Sequence, residues 1–470
     1  MPVLVLALAA VSLVIVRPGP IAGWWGSGDR SPAIIELGEP TPPPVLANVP
    51  DNAPMPTPAG IRAAIDALVT GSALGSEVNV SVLDALTGES LYVRGGDVPT
   101  VPASTTKLAT AVTVLATRGP AYRITTRVVA GAEPGEVVII GAGDPTLAVN
   151  GTGSYPGAGR LDRLAEQVKQ ALGGTVPTKV TVDSSLYSGP TYEPGWDADI
   201  PTGGYGAAMT ALMTDGARLD PKKSTKGAAR TPVPDLAAGK SFAKLLGLPA
   251  AQVKAVSRGT APPANGSTAP PTAGTGPIEP GTELGRVQSP PIIRMVDFML
   301  TDSDNVVAEA LARQVALSRG QPASFVGGAA AMDVVLAELG LPADQSDLAD
   351  GSGLSRSNRV TPELLSRLLV MVANGQHPEL TGLVNGLPVA GWSGTLDDRF
   401  GVAASRMGAG VVRAKTGTLS GVHAFSGLLT TADGRLLAFT VLANKVPVGS
   451  DQAQPILDRL AATLAACGCR

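Results

Sequence analysis

Apolar residues change their spacing several times along the chain, and each change marks an element or a break. The first run, Val3 to Val16, is 14 residues long and apolar throughout except for Ser12. A membrane span needs about 20 residues, whereas a secretory signal uses about 7–15. No basic residue precedes the run, no A-x-A cleavage site follows it, and Arg17 lies on the wrong flank. Export is expected, through a signal whose true start lies upstream or through a short uncleaved membrane anchor. The plainer alternative is a buried core helix. No N-terminal cysteine comes directly after the run, which argues against a lipoprotein. From Ser31 to Pro58 prolines dominate, as in Thr41-Pro42-Pro43-Pro44, and predict an extended spacer.

Helical spacing begins near Ala59: Ile61, Ile65 and Leu68 recur on one face and Gly71 stops them. Alternation follows over Val78 to Asp84 and Ser90 to Arg94, joined through Thr87-Gly88-Glu89 in a hairpin pattern. Between residues 121 and 290 the character changes. Ile124 to Ala130, Glu136 to Gly141 and Lys179 to Asp183 read as strands, and Arg160 to Leu172 as an amphipathic helix ended by Gly173-Gly174. Thr260 to Gly281 is rich in Pro, Gly, Ala and Thr and is expected to be irregular, too much so to supply a full further domain. Helices return at Ile292 to Leu300 and Val306 to Leu317. Val411 to Gly417, Val422 to Thr430 and Leu436 to Ala443 then read as three strands, and Asp451 to Ala466 as a last helix. This order predicts an α+β fold, an antiparallel sheet flanked by helices, with the two terminal helices packed on one face. Residues 1–30 would be the export segment, 31–57 the linker, 58–120 and 291–466 the halves of one split domain, and 121–290 a large inserted domain.

Composition removes several function classes. The chain has 470 residues, enough for two or three cores, and a net charge of -3 with no long Lys/Arg run. Nothing there favours nucleic acid or polybasic membrane binding. The two histidines, His377 and His423, lie in no H-E-x-x-H or similar pattern, so metal catalysis is not expected and no cofactor is called for. Both cysteines, Cys467 and Cys469, fall in the last four residues. They read as a tail without catalytic importance, with a Cys467–Cys469 or intermolecular bridge as the lesser alternative.

Three short strings carry the chemistry. Ser104-Thr105-Thr106-Lys107 opens a helix with Leu108, Val112 and Leu115 on its apolar face. Ser104 and Lys107, three apart, share a face, and the serine sits at the positive end of the helix dipole. Ser-x-x-Lys is weak by itself, since Ser241-Phe242-Ala243-Lys244 matches too and Pro322-Ala323-Ser324 repeats the start without the lysine. A plain N-cap serine with a solvated lysine explains such a string equally well. Ser303-Asp304-Asn305 lies between two helices, where a capping cluster is the ordinary explanation. Lys415-Thr416-Gly417-Thr418 ends a strand and occurs once; Gly417 would let a substrate approach the strand closely. In this order, with about 200 residues between the first two serines, the strings form the S-x-x-K, S-D-N and K-T-G set of penicillin-recognising serine acyl-transferases. For Lys107 to act as a base it must lose about 3 pKa units, through burial or a neighbouring cation such as Lys415.

The chain resembles the class C low-molecular-mass penicillin-binding proteins, the DacB-type D-alanyl-D-alanine carboxypeptidases/endopeptidases, over most of residues 60–466. The resemblance rests on the three strings and on Gly143-Asp144-Pro145, Trp196 to Ala207, Asp350-Gly351-Ser352-Gly353-Leu354-Ser355 and Gly394-Thr395-Leu396. It implies a penicillin-binding/β-lactamase-like transpeptidase domain acting outside the cytoplasm on peptidoglycan stem peptides ending in D-Ala-D-Ala, with β-lactams as inhibitors. It further implies Ser104 as nucleophile, Lys107 as base, Ser303 as proton relay and Asn305 as holder of the acyl chain. Lys415, Thr416 and Thr418 would bind the terminal carboxylate, with Gly417 as a further substrate-binding position, and the backbone N–H groups of Ser104 and Thr418 would form the oxyanion hole. Two rivals share the fold. A β-lactamase would add a deacylating Glu, for which the nearest string, Glu338-Leu339-Gly340-Leu341-Pro342, reads better as a helix end. A catalytically silent wall-binding or sensor protein would be expected to have lost one of the site residues.

Overall fold

The computed structural model describes residues 53–223, 227–264 and 278–469. The run Val3 to Val16, most of the proline-rich spacer and the middle of the 260–281 stretch lie outside the described residues.

The principal sheet has the strands β1 (Glu77–Asp84), β2 (Ser90–Arg94), β10 (Arg413–Leu419), β11 (Val422–Thr430) and β12 (Leu436–Asn444), in the order β10-β11-β12-β1-β2. Each neighbouring pair is antiparallel. Because strand side chains alternate, the two faces feed two cores. Phe425, Leu429, Phe439 and Val441 point to one, with Ile61 and Ile65 of α1 (Pro58–Val69) and Leu457 and Leu460 of the last helix, α9 (Ser450–Ala465). The two terminal helices therefore share that face, as the pattern predicts. Ala424, Leu428, Ala438 and Leu442 point to the other core. There they meet α2 (Thr106–Arg118), α5 (Ile292–Thr301), α6 (Asn305–Ser318), α7 (Phe325–Glu338) and α8 (Pro362–Ala373). Two residue pairs, β8 (Ser346–Asp347) and β9 (Arg359–Val360), make a short separate ladder. The fold is α+β with an antiparallel sheet covered by helices on both faces.

The segment between α2 and α5 builds a second sheet of β3 (Thr125–Ala130), β4 (Glu136–Ile140), β5 (Lys179–Asp183), β6 (Ser257–Arg258) and β7 (Glu283–Gln288), in the order β6-β5-β4-β3-β7. The β4–β5 and β5–β6 pairs are parallel. Leu161, Leu164 and Val168 of α3 (Leu161–Ala171) and Phe242 and Leu246 of α4 (Pro234–Leu246) bury against it in a core of their own. The helix α4 and the strand β7 lie on either side of the Thr260–Gly281 stretch and add regular structure to the segment beyond the strands and helix read from its pattern. A fourth apolar cluster, with Trp196, Met209 and Ala217 from the segment and Val306 and Ala310 from α6, joins the two parts. At the C-terminus Cys467 and Cys469 are paired with each other, and Thr57 N–H donates to the Cys469 carbonyl at 2.7 Å. Of the two bridges considered, the pairing within the chain is the one present, and it leaves the reading of a tail without catalytic importance as it stood.

Candidate active site

The turn before α2 is not plain helix. Ala103 to Thr105 form a 3-10 turn and α2 starts at Thr106, so Ser104 precedes the helix rather than opening it. Ala103 has a φ of 45°, a left-handed value costly for a residue with a Cβ. The surroundings over-determine it. The Ala103 carbonyl accepts from the Thr106 hydroxyl at 2.9 Å, and Gly353 lies so close that a Cβ there would fall 1.9 Å from the Ala103 oxygen.

Lys107 is fully buried and its Nζ donates to Ser104 Oγ at 3.0 Å, Asn305 Oδ1 at 2.6 Å and the Ser352 carbonyl at 2.6 Å. Burial lowers its pKa to about 8, against the pull of the Asp350, Glu309 and Asp304 carboxylates, which raise it. The charges facing Lys107 are anionic, so desolvation and not a second ammonium makes the shift. Lys415 has another partner: its Nζ donates to Ser303 Oγ at 3.0 Å and to the Thr416 carbonyl at 2.8 Å, and it too is fully buried.

Ser303 has a φ of 57° and links α5 to α6. Asp304 caps α6, its Oδ1 accepting from the Val306 and Val307 amides, as the residue types predict. Asn305 then presents its amide to the site, Oδ1 toward Lys107 and Nδ2 donating to the Tyr205 carbonyl at 2.9 Å.

The third string lies on β10, an edge strand of the principal sheet. Gly417 was expected to make room for a substrate; what lies against it is the serine turn itself. A Cβ at 417 would stand 3.0 Å from the Pro102 carbonyl oxygen and 3.0 Å from the Ser104 amide nitrogen. We therefore expect Gly417→Ala to push strand and turn apart by a few tenths of an ångström. Acylation by a fluorescent penicillin should slow by roughly tenfold, the order of a misdirected oxyanion donor's partial loss, with near-wild-type thermal stability.

All three strings meet at one cleft of about 480 Å³, lined by Ser104, Ser303, Asn305, Thr416 and Thr418 together with Arg399, which the sequence did not single out, and Tyr205 and Thr395, which fall within two of the family-like stretches. Thr395 Oγ1 lies 2.8 Å from Thr416 Oγ1. Its string, Gly394-Thr395-Leu396, was noticed as family-like, so a signal existed. Asp350 and Glu309 are buried beneath the cleft. Glu309 accepts from the Gly351 and Ser352 amides at 3.1 and 2.9 Å, and so holds the carbonyl that meets Lys107. The competing strings lie elsewhere. Ser241 and Lys244 are on α4 in the second sheet's core layer, Ser324 caps α7, and Glu338 ends α7 paired with Arg319.

Sheet, helices and inserted segment together define the penicillin-binding fold. The chain superposes on penicillin binding protein 4 of Haemophilus influenzae with a TM-score of 0.66 at 22% identity, covering 85% of this chain and 97% of that one. The D-Ala-D-Ala carboxypeptidase 3 (S13) family model matches residues 61–252 and 269–466, and the chain belongs to that family of serine peptidases. It is similar to a carboxypeptidase of Mycobacterium tuberculosis, 39% identical over 99% of this chain and 97% of the relative. It is also similar to the carboxypeptidase DacB of Mycolicibacterium smegmatis, 37% identical over 98% and 96%.

Proposed function

We propose that this protein removes the terminal D-alanine from peptidoglycan stem peptides through a Ser104 acyl-enzyme. The observation that carries the reading is the contact of a fully buried Lys107 Nζ with Ser104 Oγ at 3.0 Å. With its pKa at about 8, roughly a tenth of Lys107 is neutral at pH 7. The neutral amine takes the Ser104 proton as Oγ attacks the carbonyl of the penultimate D-Ala. The Ser104 and Thr418 amides would receive the oxyanion; one such donor is typically worth about 3–4 kcal/mol. As the C–N bond breaks, Ser303 passes a proton to the departing amine and is resupplied through Lys415, 3.0 Å away. Lys415, Thr416 and Thr418 present a cation and two hydroxyls to the terminal carboxylate, and water then hydrolyses the ester.

A β-lactam amide offers the same carbonyl and carboxylate, so penicillins should acylate Ser104 and leave slowly. Membership of a family that acts on the cell wall supports work outside the cytoplasm, and the apolar run at the N-terminus is the candidate export or anchoring segment. Among the described residues no helix is long and apolar enough to cross a membrane. Endopeptidase action on cross-links ending at a D-Ala carbonyl would use the same steps.

The test is release of D-alanine from a synthetic peptide ending in D-Ala-D-Ala, beside turnover of benzylpenicillin. Release with negligible antibiotic turnover is expected. Rapid antibiotic hydrolysis without release would establish a β-lactamase instead.

A further inference from the structure

The inserted segment reaches the acyl-transfer site through a buried polar cluster that the steps above do not use. Asp304, between Ser303 and Asn305, is almost wholly enclosed. Its Oδ2 accepts from the Tyr155 hydroxyl at 2.7 Å and from Arg218 Nη2 at 2.9 Å, and the Arg218 and Asp304 side chains are each 1% exposed. Arg218 also donates to the Tyr155 oxygen at 2.9 Å and lies over its ring at 5.1 Å. Tyr155 and Arg218 come from separate loops of the segment between α2 and α5. From the same segment the Tyr205 carbonyl accepts a hydrogen bond from Asn305 Nδ2, which turns Asn305 Oδ1 toward Lys107. Arg230 ties these loops together by donating to the Gly204 and Gly216 carbonyls.

Burial by itself would raise the Asp304 pKa; the Arg218 and Arg230 guanidinium groups instead hold it at about 2. The carboxylate therefore stays ionised, with all four of its acceptor directions used by Tyr155, Arg218 and the two α6 amides. A capping aspartate needs only the amides. The extra pair of donors costs two desolvated charges, which is poor value for stability but suits the fixing of one geometry. The geometry fixed here is that of Ser303, at a φ of 57°, and of Asn305.

We propose that the inserted segment is a positioning element for the acyl-transfer site, in which Tyr155 and Arg218 grip Asp304 and thereby hold Ser303 against Lys415 and Asn305 against Lys107. Neither residue touches substrate; both act through the Ser303–Asn305 turn. The segment is then part of the catalytic apparatus and not only a spacer or wall-binding module. This rests on Ser104 acylation as proposed above.

The test measures both the rate and the end point of acylation by a fluorescent penicillin, and kcat and KM for a D-Ala-D-Ala peptide, in Arg218→Met, Arg218→Lys and Tyr155→Phe. Losing one hydrogen bond to a buried charge should slow acylation by roughly tenfold to a hundredfold in Arg218→Met. We expect kcat to fall with KM within about threefold, labelling still to reach one per chain, and Arg218→Lys to restore part of the rate. Tyr155→Phe removes a single O–H and should slow acylation several-fold, which keeps the inference testable where Arg218→Met does not fold. Wild-type rates in folded Tyr155→Phe or Arg218→Met would overturn it, as would a loss that appears only in the end point. An unlabelled wild-type protein would instead remove the acyl-enzyme reading itself.

Discussion

Benzylpenicillin should add one persistent adduct to the intact protein and none to the Ser104→Ala variant. The argument turns on which hydroxyl has a base. Ser104 Oγ receives a hydrogen bond from Lys107, whose burial keeps the amine within reach of neutrality. Ser303 Oγ also meets a lysine, Lys415, but it lies in the link before α6, next to a capping aspartate, and the amide expected to hold the oxyanion beside a nucleophile is that of Ser104. Removing a nucleophile leaves only binding and oxyanion stabilisation, so D-alanine release should fall by about 10³-fold or more. Ser303→Ala should still form the adduct, more slowly, because a relay can be replaced by water. Ser241→Ala, in the competing Ser-x-x-Lys string, should be indistinguishable from the unaltered protein. An adduct persisting in Ser104→Ala would defeat the assignment. No adduct with intact antibiotic in the unaltered protein would point to a silent binding protein, and hydrolysed antibiotic to a β-lactamase.

Much of this was legible because local pattern and long-range order agree. The hairpin from Val78 to Arg94 shows the strand period, and the strands from 422 to 443 read as nearly continuous apolar runs, since one face of each meets the terminal helices and the other the helical layer. Their ends shift by a residue or two where turns intervene: β10 begins at Arg413, not Val411, and β12 runs on to Asn444. The three strings converge because each sits at an element terminus, which is where a chain can place polar side chains beside a core. What the sequence could not disclose is contact between distant loops. Nothing in Tyr155 or Arg218 signals that they face Asp304, and Tyr205, though it falls in the family-like stretch Trp196 to Ala207, gives no sign that its carbonyl meets Asn305. Glu309 and Arg313 did leave a trace, an opposite-charge pair four residues apart on a mostly apolar helix, and both are buried. Of the two causes open for the Lys107 shift, burial is the one the fold supplies. The second lysine string meets Ser303 instead, and the charges around Lys107 are carboxylates.

The second large effect concerns Lys107 itself. Replacing it with Met should lower the acylation rate by about 10²–10⁴-fold, the usual worth of a positioned general base, while leaving the cleft shape in place. The flexible thioether side chain matches the lysine stem in length. It leaves Asn305 Oδ1 and the Ser352 carbonyl without their donor, yet it also removes a desolvated amine, so the stability change should be modest. The pH dependence supplies the more discriminating result. Lys107 works only when neutral, and its pKa lies at about 8. The acylation rate constant of the free enzyme should therefore rise about tenfold per pH unit below pH 7, bend near pH 8 and level off above pH 9. An unshifted lysine would keep the rate climbing through pH 10, and that result would show that the buried amine is not the base. In Lys107→Met the remaining slow acylation should lose the bend altogether. A profile that kept it would assign the titration to another group, of which Glu309, raised to about 7 by burial and by Asp350, is the nearest candidate beneath the cleft.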